Sequence, residues 1–148
     1  MQGFGGEETS KLAGYMSLSQ NNNCPFCAID PERIIYEDQY CFSVRDGFPV
    51  SGGHSLIITK RHVPTYFDTS PEEKEALWQA ANEIRKGIDK EFSPDAYNIG
   101  INDGEAAGQT VPHLHIHLIP RYEGDVEDSR GGVRWVVPDK ATYWETEQ

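Results

Sequence analysis

Three observations in the sequence predict a domain of mixed α and β structure. Short runs rich in Ile, Val, Phe and Tyr recur between turn signals. One long segment, Pro71 to Phe92, carries helical periodicity and a capping signature. And His113-Leu114-His115-Ile116-His117-Leu118-Ile119-Pro120 alternates strictly between imidazole and aliphatic side chains. A strand has period two, so this run puts three histidines on one face and an aliphatic row on the other.

Taken in order, residues 1–23 are rich in Gly, Ser, Glu and Asn and read as a flexible tail. Cys24-Pro25-Phe26-Cys27 follows. A CxxC pair is one half of a zinc site, a redox dithiol or a coincidence. A redox pair normally opens a helix beside a strand, and that context is missing here. Ile34–Tyr36 and Tyr40–Val44 read as a hairpin turned at Glu37-Asp38-Gln39. Asp46-Gly47-Phe48-Pro49 ends the second strand. Ser51-Gly52-Gly53 turns the chain into the strand His54–Thr59, and Lys60-Arg61-His62 closes it.

The helix follows, with Ser70 as N-cap, Pro71 at the first helical position and Glu73 placed to complete a capping box. Leu77, Ala81, Ile84 and Ile88 form its apolar stripe. Tyr97–Asn102 reads as a strand that runs into the small-residue loop Asp103–Thr110. Such a loop lets a ligand approach backbone N–H groups, as anion-binding nests require. After Tyr122 the chain turns acidic; Arg130–Pro138 then has a strand-like core, read as an edge strand with Trp135 on the sheet. Its arginines are alternatively placed to reach a distal phosphate.

Composition narrows the function. At 148 residues, with 37% hydrophobic and 25% charged content, the chain suits one soluble domain. A net charge of −11 argues against nucleic acid and anionic membrane as partners. Neither a membrane-spanning run nor a secretory signal is visible, so a cytoplasmic location is expected. Three cysteines do not suggest a disulfide framework, and Cys41 reads as a buried thiol. Three imidazoles on one face are the informative feature. They are tolerable together if neutral, bound to metal or facing an anion.

The run His113 to Ile119 resembles the histidine-triad (HIT) pattern, His-φ-His-φ-His-φ-φ with φ apolar. Asn102-Asp103-Gly104, Ala107–Val111, Cys24–Cys27, Gly52-Gly53-His54 and Lys60-Arg61-His62 match the same family in order, from about Cys24 to Tyr122. The resemblance implies an α+β HIT-like fold: a mostly antiparallel five-stranded sheet with one long helix, commonly a homodimer. Residues 24–122 would form the domain, and 123–148 an extension packing on it or on a dimer partner.

It also implies chemistry. His115 would attack the α-phosphorus of a nucleoside phosphate derivative, giving a covalent nucleotidyl-histidine that water or another acceptor resolves. His117 and His54 would complete the catalytic group. Asn102 and the Gly108, Gln109 and Thr110 N–H groups would hold phosphate oxygens. Asp46 would bind ribose, and Phe42 and Phe48 would flank a purine base, unless they are simply core aromatics. Cys24, Cys27, His62 and His113 would bind a structural zinc, and no catalytic cofactor is expected. His113 and His115 stand only ~7 Å apart on one strand face, so serving different sites demands a local divergence. Two other readings compete: a metalloenzyme binding one ion through His113, His115 and His117, and a non-catalytic purine nucleotide-binding module.

Overall fold

The computed structural model describes residues 23–145. The tail expected over residues 1–23 therefore lies, except for Asn23, outside the described residues. Five strands form one sheet: β1 (Ile34–Glu37), β2 (Cys41–Arg45), β3 (Ser55–Thr59), β4 (Ala96–Gly100) and β5 (His115–Arg121). Their order is β1-β2-β3-β5-β4, and every neighbouring pair is antiparallel. Among the described residues a single long helix, α1 (Pro71–Phe92), connects β3 to β4. The α+β fold expected from the sequence is the one observed.

The alternation in β5 decides how the sheet is used. Leu114, Ile116 and Leu118 point to the helix side, where they join Cys41, Ile57, Leu77, Ala80, Ala81, Ile84 and Ile88 in the main core. The helical stripe thus meets the aliphatic row. Truncating one of these fully buried aliphatics, such as Leu77, costs about 2–5 kcal/mol. On the opposite face Phe42, Val44, Leu56 and Ile58 form a second apolar cluster, bordered by Phe26, Ile29 and Ile34. Ile58 is paired with His115 and Leu56 with His117, so the histidine row shares that second face. β2 and β3 are buried almost throughout because each is covered on both faces.

The helix starts as its sequence dictates. The Ser70 side chain accepts the Glu73 N–H at 3.0 Å, and Glu73 Oε1 accepts the Ser70 N–H at 2.9 Å. Glu73 is also gripped by the Arg61 guanidinium at 2.7 and 3.1 Å, which ties the end of β3 to the helix. These contacts hold its carboxyl below the usual range although burial pushes the other way. The helix stops at Ser93, which adopts a left-handed conformation with φ 50°.

Some expected strand bounds shift, and one expected strand is replaced. The third strand begins at Ser55 rather than His54, and the histidine strand begins at His115 rather than His113. His113 lies in a bend, where the Leu114 N–H reaches Val63 O at 2.8 Å. The strand expected within residues 130–138 is absent. Short 3-10 segments stand there instead, at Gly132–Val136 and Pro138–Lys140. Gly131 and Gly132 take φ values of +94° and +46°, which an extended strand cannot contain. The Trp135 indole N–H donates to Arg130 O at 2.8 Å, closing a tight turn rather than lying on a sheet edge.

Candidate active site and metal centre

Each triad ring is held by a polar group that fixes which nitrogen carries the proton. A carbonyl can only accept, so His115 Nδ1, 2.8 Å from His113 O, bears hydrogen and its Nε2 keeps a free lone pair. His113 Nε2 donates to Thr59 O at 2.7 Å by the same logic, which frees its Nδ1. His54 Nδ1 accepts the Val50 N–H at 3.1 Å, so its proton sits on Nε2. That Nε2 lies 3.0 Å from His117 Nδ1 and 3.3 Å from Asp46 Oδ2. His117 thereby takes its own proton on Nε2, away from His54.

Burial keeps these rings neutral. It pushes His113 and His117 down to about 4, helped by the neighbouring imidazoles, and lowers His115 and His54 as well. The Asp46 carboxylate opposes the shift in His54 and His117 without cancelling it. At neutral pH the site is a set of uncharged imidazoles with assigned donors and lone pairs.

The freed Nδ1 of His113 faces sulfur. It stands 3.3 Å from Cys24 Sγ and 3.5 Å from Cys27 Sγ, and His62 Nδ1 stands 3.2 Å from Cys27 Sγ. The four ligand atoms lie within 4.8 Å of one another. A tetrahedron with Zn–S of about 2.3 Å and Zn–N of about 2.0 Å has S···N edges of about 3.5 Å. The side chains therefore fit a Cys2His2 metal ion. The divergence between His113 and His115 is also explained. His113 precedes β5 and turns its Nδ1 to the cysteines, while His115 turns its Nδ1 back to the His113 carbonyl. No described metal-competent cluster contains His115, which argues against one ion held by His113, His115 and His117 together.

The substrate-side residues are placed less uniformly. Asp46 braces its loop by accepting the Phe48 N–H at 2.9 Å and faces His54 with its other oxygen. Phe42 is buried in the apolar cluster beneath the histidine face, as the core-aromatic alternative had it. Phe48 is 91% exposed, so it packs on nothing and is free to meet a ligand. Asn102 and Thr110 are exposed at the two ends of the small-residue loop.

The anion nest needs correction. The Gly108 N–H is bonded to Glu105 O at 2.9 Å and the Gln109 N–H to Gly104 O at 3.1 Å. The Gln109 side chain is likewise engaged, donating to Pro64 O at 2.8 Å and Val111 O at 3.1 Å and accepting from Gly104 N–H at 2.7 Å. Glycines 104 and 108, at φ +96° and +94°, make a compact turn that consumes its own donors. Thr110, at the end of this loop, is exposed.

Phe26 is a site residue that the sequence did not reveal. Its ring meets His115 edge-on at 4.8 Å and His113 at 6.0 Å. One of the two residues between the cysteines thus forms a wall of the triad. Its position inside CPFC was the available signal, hidden because the motif was read for its sulfurs alone. The Arg130 and Arg134 side chains do not reach toward the triad. Arg130 lies over Trp144 at 4.5 Å and pairs with Asp128, and Arg134 lies over Tyr143 at 4.7 Å.

The HIT domain family profile matches residues 29–124. The chain is 42% identical over 113 residues to adenylylsulfatase HINT3 of Arabidopsis thaliana, covering 74% of this chain and 57% of that protein. It is 44% identical over 81 residues to the asymmetrical bis(5'-nucleosyl)-tetraphosphatase of Schizosaccharomyces pombe, covering 55% of this chain and 44% of that protein. The chain thus spans less than two thirds of either relative. Among solved structures, a zinc-bound histidine triad family protein from Mycobacterium smegmatis superposes with a TM-score of 0.64 at 39% identity, covering 70% of this chain and 78% of that one. With its triad, its sheet and helix, and a profile match over most of its length, the chain belongs to the HIT domain family.

Proposed function

We propose that the protein cleaves nucleoside phosphate derivatives at the α-phosphate through a covalent nucleotidyl-His115. One observation carries the reading: the His113 carbonyl fixes the His115 proton on Nδ1, leaving a neutral Nε2 lone pair on the face of the sheet opposite the helix. In the first step the Nε2–Pα bond forms and the bond from Pα to the leaving group breaks, with its electron pair departing on that group. His117, with its proton on Nε2, supplies a hydrogen bond to a phosphoryl oxygen or the leaving atom. Water or another acceptor then attacks phosphorus and His115 leaves as a neutral ring. On this reading Thr110 and Asn102, exposed at the ends of the loop, would meet the phosphates, and Asp46 and the exposed Phe48 the nucleoside.

Cys24, Cys27, His62 and His113 would hold a structural zinc, which supplies no step and locks the N-terminal segment against the triad. Relatives named for adenylylsulfate, dinucleoside tetraphosphate and diadenosine triphosphate support adenine nucleotides as the substrate class. The reading includes a homodimer working in the cytoplasm. Among the described residues no helix is long and apolar enough to cross a membrane.

The test is a reaction with diadenosine triphosphate stopped in alkaline denaturant, where a P–N bond survives, followed by intact-mass analysis. One added nucleotidyl group is expected, mapping to His115 and absent from His115→Asn. An adduct on another residue, or turnover retained in His115→Asn, overturns the assignment.

A further inference from the structure

The Gln109 side chain is spent inside the protein. Its Nε2 donates to Pro64 O at 2.8 Å and to Val111 O at 3.1 Å, and its Oε1 accepts the Gly104 N–H at 2.7 Å. Carbonyls only accept and a backbone N–H only donates, so the amide has one possible orientation and both of its hydrogens are used. The residue is half-buried, while Gly108 and Thr110 on either side of it are exposed. A phosphate would have to break one of these bonds to take a hydrogen from it.

The groups that the amide joins show what it does. Val111 O also accepts the His113 N–H at 2.7 Å, which closes a three-residue turn about Pro112. The proline ring holds φ near the value that such a turn needs. Pro64 follows Val63, and Val63 O accepts the Leu114 N–H at 2.8 Å. Gln109 therefore ties together two segments, 63–64 and 111–113, that meet at the His113–Leu114 peptide. A trans peptide is planar, and its C=O and N–H point in opposite directions. With the N–H held on Val63 O, the C=O is turned to the other side, where it meets His115 Nδ1 at 2.8 Å. The carbonyl that places the His115 proton is thus aimed by contacts on the far side of its own peptide plane.

We propose that Gln109 is a positioning residue for His115: by clasping Pro64 O and Val111 O together it keeps the His113 carbonyl in line with Nδ1 and the Nε2 lone pair free. The kinetic consequence rests on the nucleotidyl-histidine reading above; the tautomer does not.

The experiment compares the full zinc-loaded chain with two variants. Gln109→Met nearly preserves the length of the side chain without donor or charge. Gln109→Glu keeps an acceptor for the Gly104 N–H but, as a carboxylate, has no hydrogen for the two carbonyls. Long-range proton–nitrogen correlation on histidine-labelled, ligand-free protein reads the His115 tautomer, and steady-state kinetics on diadenosine triphosphate separate kcat from KM. Wild-type His115 should be protonated at Nδ1. Both variants should show a mixture with the Nε2-protonated form, and kcat should fall about fivefold, the rate equivalent of one net hydrogen bond, with KM changed by less than about twofold. Asp103→Ala loosens the same loop from its other end, by removing the acceptor of the Thr65 hydroxyl and the Tyr66 N–H at 2.8 Å each, and should leave the tautomer as in the wild type. An unchanged His115 tautomer in the Gln109 variants overturns the proposal. So does a raised KM with kcat and tautomer unchanged, the pattern of a phosphate ligand. The same mixture in Asp103→Ala overturns it too, since general loosening would then suffice. If Gln109→Met does not fold, Gln109→Glu alone decides. If the wild type does not turn over the dinucleotide, the nucleotidyl reading fails, and the positioning role is judged on the tautomer alone.

Discussion

Replacing His54 with Phe removes the ring that sets the His117 tautomer while nearly preserving shape. Two hydrogen bonds go with it: Val50 N–H to Nδ1 at 3.1 Å, and Nε2 to His117 Nδ1 at 3.0 Å. Each is worth about 1 kcal/mol net, so the folded state should lose about 2 kcal/mol. The catalytic effect should be larger than that loss suggests. Without the His54 donor, the His117 proton is free to move from Nε2 to Nδ1, and ring orientation loosens. A positioned proton donor contributes about 10²–10⁴-fold, and since His117 itself remains, the fall in kcat should sit near the lower figure, about 100-fold. Both rings are shifted down by burial, so neither effect depends on charging a histidine at pH 7. Long-range proton–nitrogen correlation on histidine-labelled protein reads the tautomer, beside steady-state kinetics on one adenylyl substrate. The wild-type spectrum should show His117 protonated at Nε2, and the variant a mixture. A variant that keeps the Nε2-protonated form yet loses activity would refute the proposed role of His54.

Three further outcomes are expected. Gly53→Ala places a methyl group at 3.0 Å from Phe92 and 3.1 Å from Ile88 at φ +89°, and should cost about 2–3 kcal/mol by urea denaturation while displacing the adjacent His54; a loss under 1 kcal/mol would contradict the packing. Cys27→Ser should abolish stoichiometric zinc by metal analysis and lower Tm by more than 10 °C, with His115 still present; full zinc retention would disprove the ligand set. Stability should rise with pH across the acid range. His117 sits at about 4 when folded against roughly 6.5 in an unfolded chain, so the unfolded state binds the extra proton between those values. The contribution, about 3 kcal/mol, is complete above pH 6.5 and is lost as pH falls through 4; His117→Asn should flatten that slope in urea titrations at stepped pH.

Much of the fold could be read locally. Alternation in the triad run, the capping box at Ser70 and Glu73, and the Leu77–Ile88 stripe each involve residues a few positions apart, and all were realised. The identities of the four metal-competent residues were also legible, because a CxxC pair needs partners and the family resemblance supplied His62 and His113. What stayed hidden shares a cause. Whether Gln109 faces a phosphate or braces Pro64 depends on a carbonyl 45 residues away, and the shape of residues 130–138 depends on Arg134 reaching Ala141 and Gly132 lying against Asn98.

By itself the sequence determined which residues carry nucleophilic, metal-binding and packing capacity, since side-chain chemistry and short-range periodicity belong to the chain. Only the tertiary structure decided which lone pair each imidazole presents. That choice is made by Thr59 O, His113 O and the Val50 N–H, and one of these comes from 54 positions away. A ring nitrogen takes or gives up its proton according to the nearest polar group, and folding alone determines which group that is.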